Sequence, residues 1–553
     1  MIRWSNLIVL GALLVMGPID ESRADKKTVC TITVNSPDER EMFRRSLAAD
    51  DFDFVELVER GRPDWLASAC RKGVRCDALL ISGHFDGGTE FYSDRLDARE
   101  YLPVDELERA SCSASCPVLF AQLKEVYLFG CNTLNAEALK YTSAEIVRSL
   151  VRAGHSQADA EQFSRMLNDR HGESNRDRMR YIFKDVPVIY GFSSKAPLGP
   201  SAASVLDRYF QSGAGGEVAS GRASPRLLGL FAPSSMTLAP GLNDADPQAG
   251  HRRDVCQFAD DRLSTAQKLD FVHQLMGREM AEVRMFLDRI ERQSTSLTDA
   301  ARQTPEVASA LDAIGRDSSA RSRYLDLARD ADQLATSVRM LDVARNVGWL
   351  APADQRVELM RLIGGQVARN AVGLADVDLV CRLNQDHQFD REEAGLEVVP
   401  AHAEKIGPAA ALACLGRSEN RPRVLRALTS ANDDDVQIAQ VYLRHRPIGD
   451  ASELRNVTMG ITQMSGSAAQ VRALDTLAGL RPADRESLEA LARLFPRTKS
   501  LNVQRAIAGV LIRTDYQAMA KPELVRALRQ NRLKSPDGDD VIDVLIRRLQ
   551  AAS

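Results

Sequence analysis

The sequence predicts a doubly wound, mostly parallel α/β domain followed by an all-α helical-repeat region. Three observations carry this. Apolar, β-branched runs alternate with helically spaced segments from residue 28 to about 212. From about residue 254 onward every segment reads as helix, and three segments in the last third of the chain repeat one another.

Residues 1–24 are set apart from the fold. Arg3 precedes the apolar run LIVLGALLVMG, and Ser22-Arg23-Ala24 supplies a small-x-small site. That is the pattern of an export signal cleaved before Asp25. Eleven apolar residues are too few to cross a bilayer comfortably, although an uncleaved anchor is the other reading. No later apolar run is long enough to span a membrane, so the mature chain is expected to be exported, periplasmic or extracellular, and off the membrane. A net charge of −4 with 27% charged residues provides no basic field for nucleic acid.

The α/β domain is expected over 25–212. VCTITVN (29–35) reads as a strand bounded by Ser-Pro-Asp, and DEREMFRRSLAA follows with helical spacing. FDFVELV (52–58) is the next strand, and PDWLASACRKG a helix ended by Gly73. CDALLISG is an apolar strand, followed by a loop region of about forty residues. EVYLFG (125–130) is another strand, 135–181 a long helical stretch, VPVIYGF (186–192) a strand, and PSAASVLDRYFQ a helix. Strands this apolar belong to a parallel sheet covered on both faces.

Residues 213–253, rich in Gly, Ser, Ala and Pro, read as a linker or irregular segment. Residues 254–400 read as a helical region and 401–553 as helical repeats of a degenerate HEAT type. The repeating segments start at Val436, Val471 and Val503, spaced 35 and 32 residues apart, each with an arginine ten residues on (Arg446, Arg481, Arg513). Asp433-Asp434-Asp435 reads as a solvated helix start rather than a calcium loop.

Nine cysteines is an odd number, so at least one is expected to stay unpaired. Cys70 with Cys76 and Cys112 with Cys116 are near enough in sequence to pair locally, but sequence leaves the connectivity open. For Cys112 and Cys116 a disulfide is expected in preference to zinc, because a closed tetrahedral site needs four converging ligands.

Two residues carry chemistry. His84 follows the strand ALLIS, and Cys131 follows the strand EVYLF after Gly130. Ligands of open α/β sheets bind just beyond the carboxyl ends of the strands. Neighbouring strands would set the two side chains on one lip. The thiolate is the nucleophile, and an imidazole within reach takes its proton and returns it to a leaving amine. The Cys131 N–H, with one from 83–85, would form an oxyanion hole for acyl transfer. Glycines at Gly83 and Gly130 let a substrate backbone approach.

A strand ending in His beside a strand ending in Gly-Cys, with His first, resembles the caspase-like cysteine peptidases, a group that includes caspases, metacaspases, gingipains and CHAT domains. The two residues stand 47 apart, near the roughly 50 of caspases. The resemblance covers about 28–212. It implies that His84 is the general base and Cys131 the nucleophile, and that Phe192, Ser193 and Ser194 help form the pocket for the residue before the scissile bond. The chain departs from the family pattern in two places. Phe85 stands where glycine usually follows the histidine, crowding the approach, and Phe-Gly-Cys-Asn-Thr replaces the caspase signature around the cysteine. Asp86 is either an orienting or cation-binding residue or, as preferred here, part of an Asp86-Gly87-Gly88 turn. The His171-Gly172 pair, lying after the cysteine in a polar stretch, reads as a surface turn.

The functional expectation is an exported cysteine endopeptidase acting on a protein or peptide substrate. It needs no cofactor and no metal, and its helical arm binds a protein partner. The alternative is a caspase-like module without catalysis that acts as an interaction scaffold.

Overall fold

In the computed structural model the described residues are 26–57, 66–85, 88–94, 100–137, 143–171, 173–390, 403–514, 522–535 and 540–552. The expected leader, 1–24, lies outside them, as does Asp86. The chain divides into two units, one formed by 1–141 with 162–268 and the other by 142–161 with 269–553.

The first unit is built on a mostly parallel α/β sheet. Its elements run β1 (Lys27–Thr33), α1 (Asp38–Ser46), β2 (Phe52–Glu56), α2 (Ala67–Arg71), β3 (Ala78–Ser82), β4 (Glu90–Tyr92), β5 (Tyr101–Pro103), α3 (Val104–Cys112) and β6 (Glu125–Phe129). After α4 (Ser143–Arg152), which belongs to the second unit, and α5 (Gln157–His171), whose residues belong to the first unit from Gln162 on, come α6 (Asn175–Ile182), β7 (Val188–Phe192), α7 (Gly199–Gln211), α8 (Pro225–Phe231), β8 (Met236–Ala239) and α9 (Ala249–Ala259). The sheet order is β2-β1-β3-β6-β7-β8, parallel except for the antiparallel edge strand β8. β4 and β5 form a separate hairpin within the expected loop region. Strand order reverses direction at β1, and the crevice beside such a point is where doubly wound sheets bind ligands.

β3, β6 and β7 are buried at every residue, as central strands covered on both faces must be. On one face α1 and α7 pack together, and alternate strand residues (Leu80, Tyr127, Phe129, Tyr190, Phe192) meet Phe43, Leu206 and Tyr209. Tyr127 and Tyr190 stack at 5.0 Å between centroids, and Phe43 meets Tyr127 edge-on at 5.1 Å. α3 packs against α6 and α9.

Two expectations about boundaries are corrected. Residues 213–253 are not a linker: Val218, Leu227 and Phe231 join the core, and β8 pairs along β7. The segment is tied down by Glu125 at the foot of β6. Its buried carboxylate accepts N–H bonds from Ala219, Ser220 and Gly221 (2.9–3.0 Å) and the Tyr127 hydroxyl (2.6 Å). Conversely, α4 is not part of the α/β unit, and its Glu145 accepts from Arg284 Nε at 3.0 Å within the helical unit.

The cysteines do not pair locally. The bonds are Cys30–Cys76, Cys70–Cys116, Cys112–Cys256 and Cys381–Cys414. The turn at Ser113 that ends α3 separates Cys112, which reaches α9, from Cys116, which reaches α2. Cys131 is unpaired.

The second unit is helical. Helices Asp433–His445, Ser467–Leu480 and Leu501–Leu511 start 34 residues apart and pack in succession. Helices Ala451–Thr462 and Arg485–Leu494 are also offset by 34, share Asp N-caps at Asp450 and Asp484, and pack on each other. Buried Gln470 and Gln504 repeat one device: each Nε2 donates to a carbonyl nine residues back, Ile461 O at 2.8 Å and Phe495 O at 3.2 Å. The true register therefore matches Val436 with Gln470 and Gln504, one residue away from the valines that sequence aligns. A 34-residue unit is shorter than the roughly 40–47 of HEAT repeats. Asp433 does start its helix, capped by Asn432.

Replacing Glu125 by Gln should destabilise the α/β unit by about 3 kcal/mol, because an amide group then faces backbone donors that a buried carboxylate satisfied. Urea unfolding checks this; an unchanged midpoint would mean that 217–221 is not held as described.

Candidate functional site

The site begins with strand register. Ser82 at the end of β3 is the Cα partner of Phe129 at the end of β6, and the Gly83 N–H donates to Phe129 O at 3.1 Å. His84 and Cys131 each lie two residues further on, level with each other on adjacent parallel strands. They line one cleft of about 380 Å³, open mouth included. Asn35, Ser36, Glu39 and Ser82 line it too, with Ala196, Pro197, Leu198 and Gly199 from the β7–α7 connection.

Gly130 is required here. A Cβ on it would lie 2.8 Å from Gly83 O and 2.9 Å from Phe85 Cβ. After Cys131 the chain turns sharply, with Asn132 at φ 60°, a left-handed conformation that asparagine tolerates. The turn is fixed by Asn132 N–H to Ser194 O (2.6 Å), by Asn175 Nδ2 to Asn132 O (3.0 Å) and by Thr133 Oγ to Gly130 O (3.1 Å). Cys131 Sγ accepts the Ala196 N–H at 3.3 Å.

His84 is held by its backbone. Its N–H and C=O both pair with Tyr92 at 2.9 Å, and the two rings lie 5.4 Å apart. Nε2 stands 3.4 Å from Asp94 Oδ2, at ion-pair distance but without hydrogen-bond alignment, and it has no aligned partner among the described residues. Asp94 was not singled out in the sequence. Its signal was weak: one acid after the short strand EFY, ten residues beyond the histidine.

The remaining expected residues divide. Phe85 does not crowd the cleft. It is 0% exposed and packs on Phe91 at 4.6 Å. Of the amides in 83–85, those of Gly83 and His84 are committed to Phe129 O and Tyr92 O, so neither serves an oxyanion. The Cys131 amide has no bonded partner among the described residues. Phe192 is buried in the core against Phe129 and Phe231. Ser193 donates to Ser235 O and Ser194 O receives Asn132, and neither lines the cleft. The connection they begin does line it, from Ala196 onward. His171 is no surface residue: at 2% exposure its Nδ1 lies 3.2 Å from Nδ1 of His251, whose Nε2 meets Glu173 at 2.9 Å. Gly172 lies outside the described residues.

Glu39 is the residue that sequence reasoning missed outright. It sits in the first turn of α1 at 3% exposure, and Ser82 Oγ donates to its Oε2 at 3.2 Å. Burial, with Asp38 adding to it, pushes its carboxyl up to about 7. In the string DEREM it looks like any acidic helix start; only the position of α1 over the strand ends reveals it.

No protein-family model, curated protein or solved structure matches this chain.

Glu39 should make stability depend on pH. Between about 4.5 and 7 the folded chain keeps a proton that the unfolded chain loses, so stability falls as pH rises through that window. A shift from 4.5 to about 7 corresponds to about 3 kcal/mol. Glu39→Gln should therefore be as stable as wild type at pH 4 and more stable by up to about 3 kcal/mol at pH 8. Equal pH dependence of unfolding in the two proteins would remove the assignment.

Proposed function

We propose that the α/β unit is an exported cysteine peptidase domain of the caspase-like kind, with Cys131 as nucleophile and His84 as general base. One observation carries the reading. Of nine cysteines, eight are paired, and the one left as a thiol stands at a strand end, level with a histidine, in the same cleft. Four disulfides suit a non-reducing compartment. No helix among the described residues is long and apolar enough to cross a membrane.

In this reading His84 removes the Cys131 proton, and the thiolate adds to the substrate carbonyl carbon. The Cys131 N–H stabilises the oxyanion. The imidazolium passes its proton to the departing amine as the C–N bond breaks, leaving a thioester. A water deprotonated by His84 then hydrolyses that thioester and regenerates the thiol. Asp94, at ion-pair distance on the Nε2 side, orients the ring. The helical unit, with its stacked 34-residue repeats, presents an extended surface for a protein partner.

The test is the rate of Cys131 alkylation by iodoacetamide against pH, read by peptide mass spectrometry, in wild type and His84→Ala. Reaction well below a free thiol's pKa of about 8.5, lost in His84→Ala, is the expected result. Identical profiles near that value in both proteins would refute the dyad and leave the α/β unit as an interaction scaffold.

A further inference from the structure

We propose that Glu39 is a specificity-determining residue and that the cleft takes the cationic side chain, lysine or arginine, of the residue preceding the scissile bond. The inference rests on the reading of Cys131 and His84 as a peptidase dyad and deepens it. Three observations lead to it.

First, the charge of the cleft is one-sided. Among its lining residues the titratable groups are Glu39, His84 and Cys131, with no lysine or arginine. An acidic substrate side chain would meet a buried carboxyl and no cation. Second, Glu39 has no cationic partner among the described residues. Its carboxyl is bonded by its own backbone N–H and by the Ser82 hydroxyl, which it shares with Ser36 O at 2.7 Å. The neighbouring Arg40 is committed elsewhere, to Glu41 and Glu56. Compare Glu125 and Glu108 in the same unit: the first accepts three backbone N–H groups, and the second accepts from the buried Arg178 at 2.8 Å. A buried carboxyl without a cation is unfavourable, and the folded chain carries that penalty as a raised pKa. A bound cation would relieve it.

Third, the rest of the wall suits a long polar side chain with an apolar stem. Ser36 and Asn35 stand beside Glu39, while Ala196, Pro197 and Leu198 line the cleft from the β7–α7 connection. Leu198 is largely exposed, able to cover methylenes as they enter. Gly199 lets the start of α7 pack closely on Ser36 and Asp38, since a Cβ there would collide with both side chains. Asp38 accepts from Ser36 Oγ at 2.5 Å and adds negative charge beside the Ser36 wall.

Peptidyl acyloxymethyl ketones that differ only in the residue before the warhead test this directly. Cys131 Sγ displaces the acyloxy group, forming a thioether and releasing a carboxylate, and the adduct is read by mass spectrometry. The residues to compare are Arg, Lys, Asp and Leu, in wild type and in Glu39→Gln, with folding of each protein checked by thermal unfolding. Wild type is expected to react fastest with the Arg or Lys reagent. In Glu39→Gln the ratio of the Arg or Lys rate to the Leu rate should fall at least about 30-fold, the scale of removing one member of a buried charge pair. Glu39→Asp should restore part of that ratio. Preference for Asp or Leu in wild type, or an unchanged ratio in Glu39→Gln, would overturn the proposal while leaving the dyad intact. Failure of the dyad itself shows separately, as an iodoacetamide profile that ignores His84, and overturns both.

Discussion

The candidate site depends on one close approach, that of Gly130 to Gly83. Parallel strands in register bring their ends level, but level ends do not by themselves bring two side chains into one cleft. The Gly83 carbonyl would lie 2.8 Å from any Cβ on residue 130, and Phe85 packs into the same space. The missing side chain lets β6 run against β3 to its last residue before the chain turns at Cys131. A methyl group there would have to shift backbone as well as side chain, and backbone cannot give way cheaply in a close-packed core. The His84–Tyr92 bridge lies beside this contact, and a Cβ on Gly83 would press on Val34 and on Phe91 in that hairpin. The same constraint therefore places the base, the nucleophile and the hairpin behind the base.

A second element serves both loops at once. Asn175, the first residue of α6, donates to Asn132 O beside Cys131, and its side chain packs on Gly88, where a Cβ would lie 2.5 Å from Asn175 Oδ1. One turn further on, Arg178 donates to Gly88 O at 2.9 Å and pairs with Glu108 and Asp105. A buried guanidinium with three acceptors fixes direction as well as charge. The loop after His84 and the turn after Cys131 are thus referenced to one helix end, so their separation does not depend on either loop alone.

What was legible in the sequence follows from this physics. Apolar strands followed by glycine showed where β3 and β6 stop, because period and burial leave a direct trace in composition. His84 and Cys131 could be paired for that reason. The fold of 213–253 was hidden because its buried residues, Val218, Leu227, Phe231 and Ala239, are spread singly among turn formers, and an antiparallel edge strand of four residues has too little pattern to stand out. The disulfides were hidden because pairing is decided by the direction in which helix ends project. The 34-residue register was obscured because the repeated position is valine in one unit and a buried glutamine in the next two. Asp94 and Glu39 escaped because an acid just after a short strand or at a helix start is ordinary, and only tertiary placement distinguishes them.

The placement of the cross-links bears on how such a cleft could work. Cys76 lies before β3, at the amino end of the sheet, and is bonded to Cys30 in β1. Cys70–Cys116 and Cys112–Cys256 tie α2, α3 and α9 along the flank. Among the described residues no disulfide reaches the cleft-lining segments around 35–39, 82–84, 129–131 and 196–199. Covalent links restrict the unfolded chain wherever they lie in the fold, but they restrict the native chain only where they are. Stabilising the unit from the flank and the amino end leaves the carboxyl lip held by hydrogen bonds and packing alone. The β7–α7 connection, with Leu198 exposed and the Ala196 amide resting on a thiol, can then move by small amounts without opposing a covalent bond. The one unpaired cysteine thus stands on the part of the sheet that the disulfides leave free to adjust.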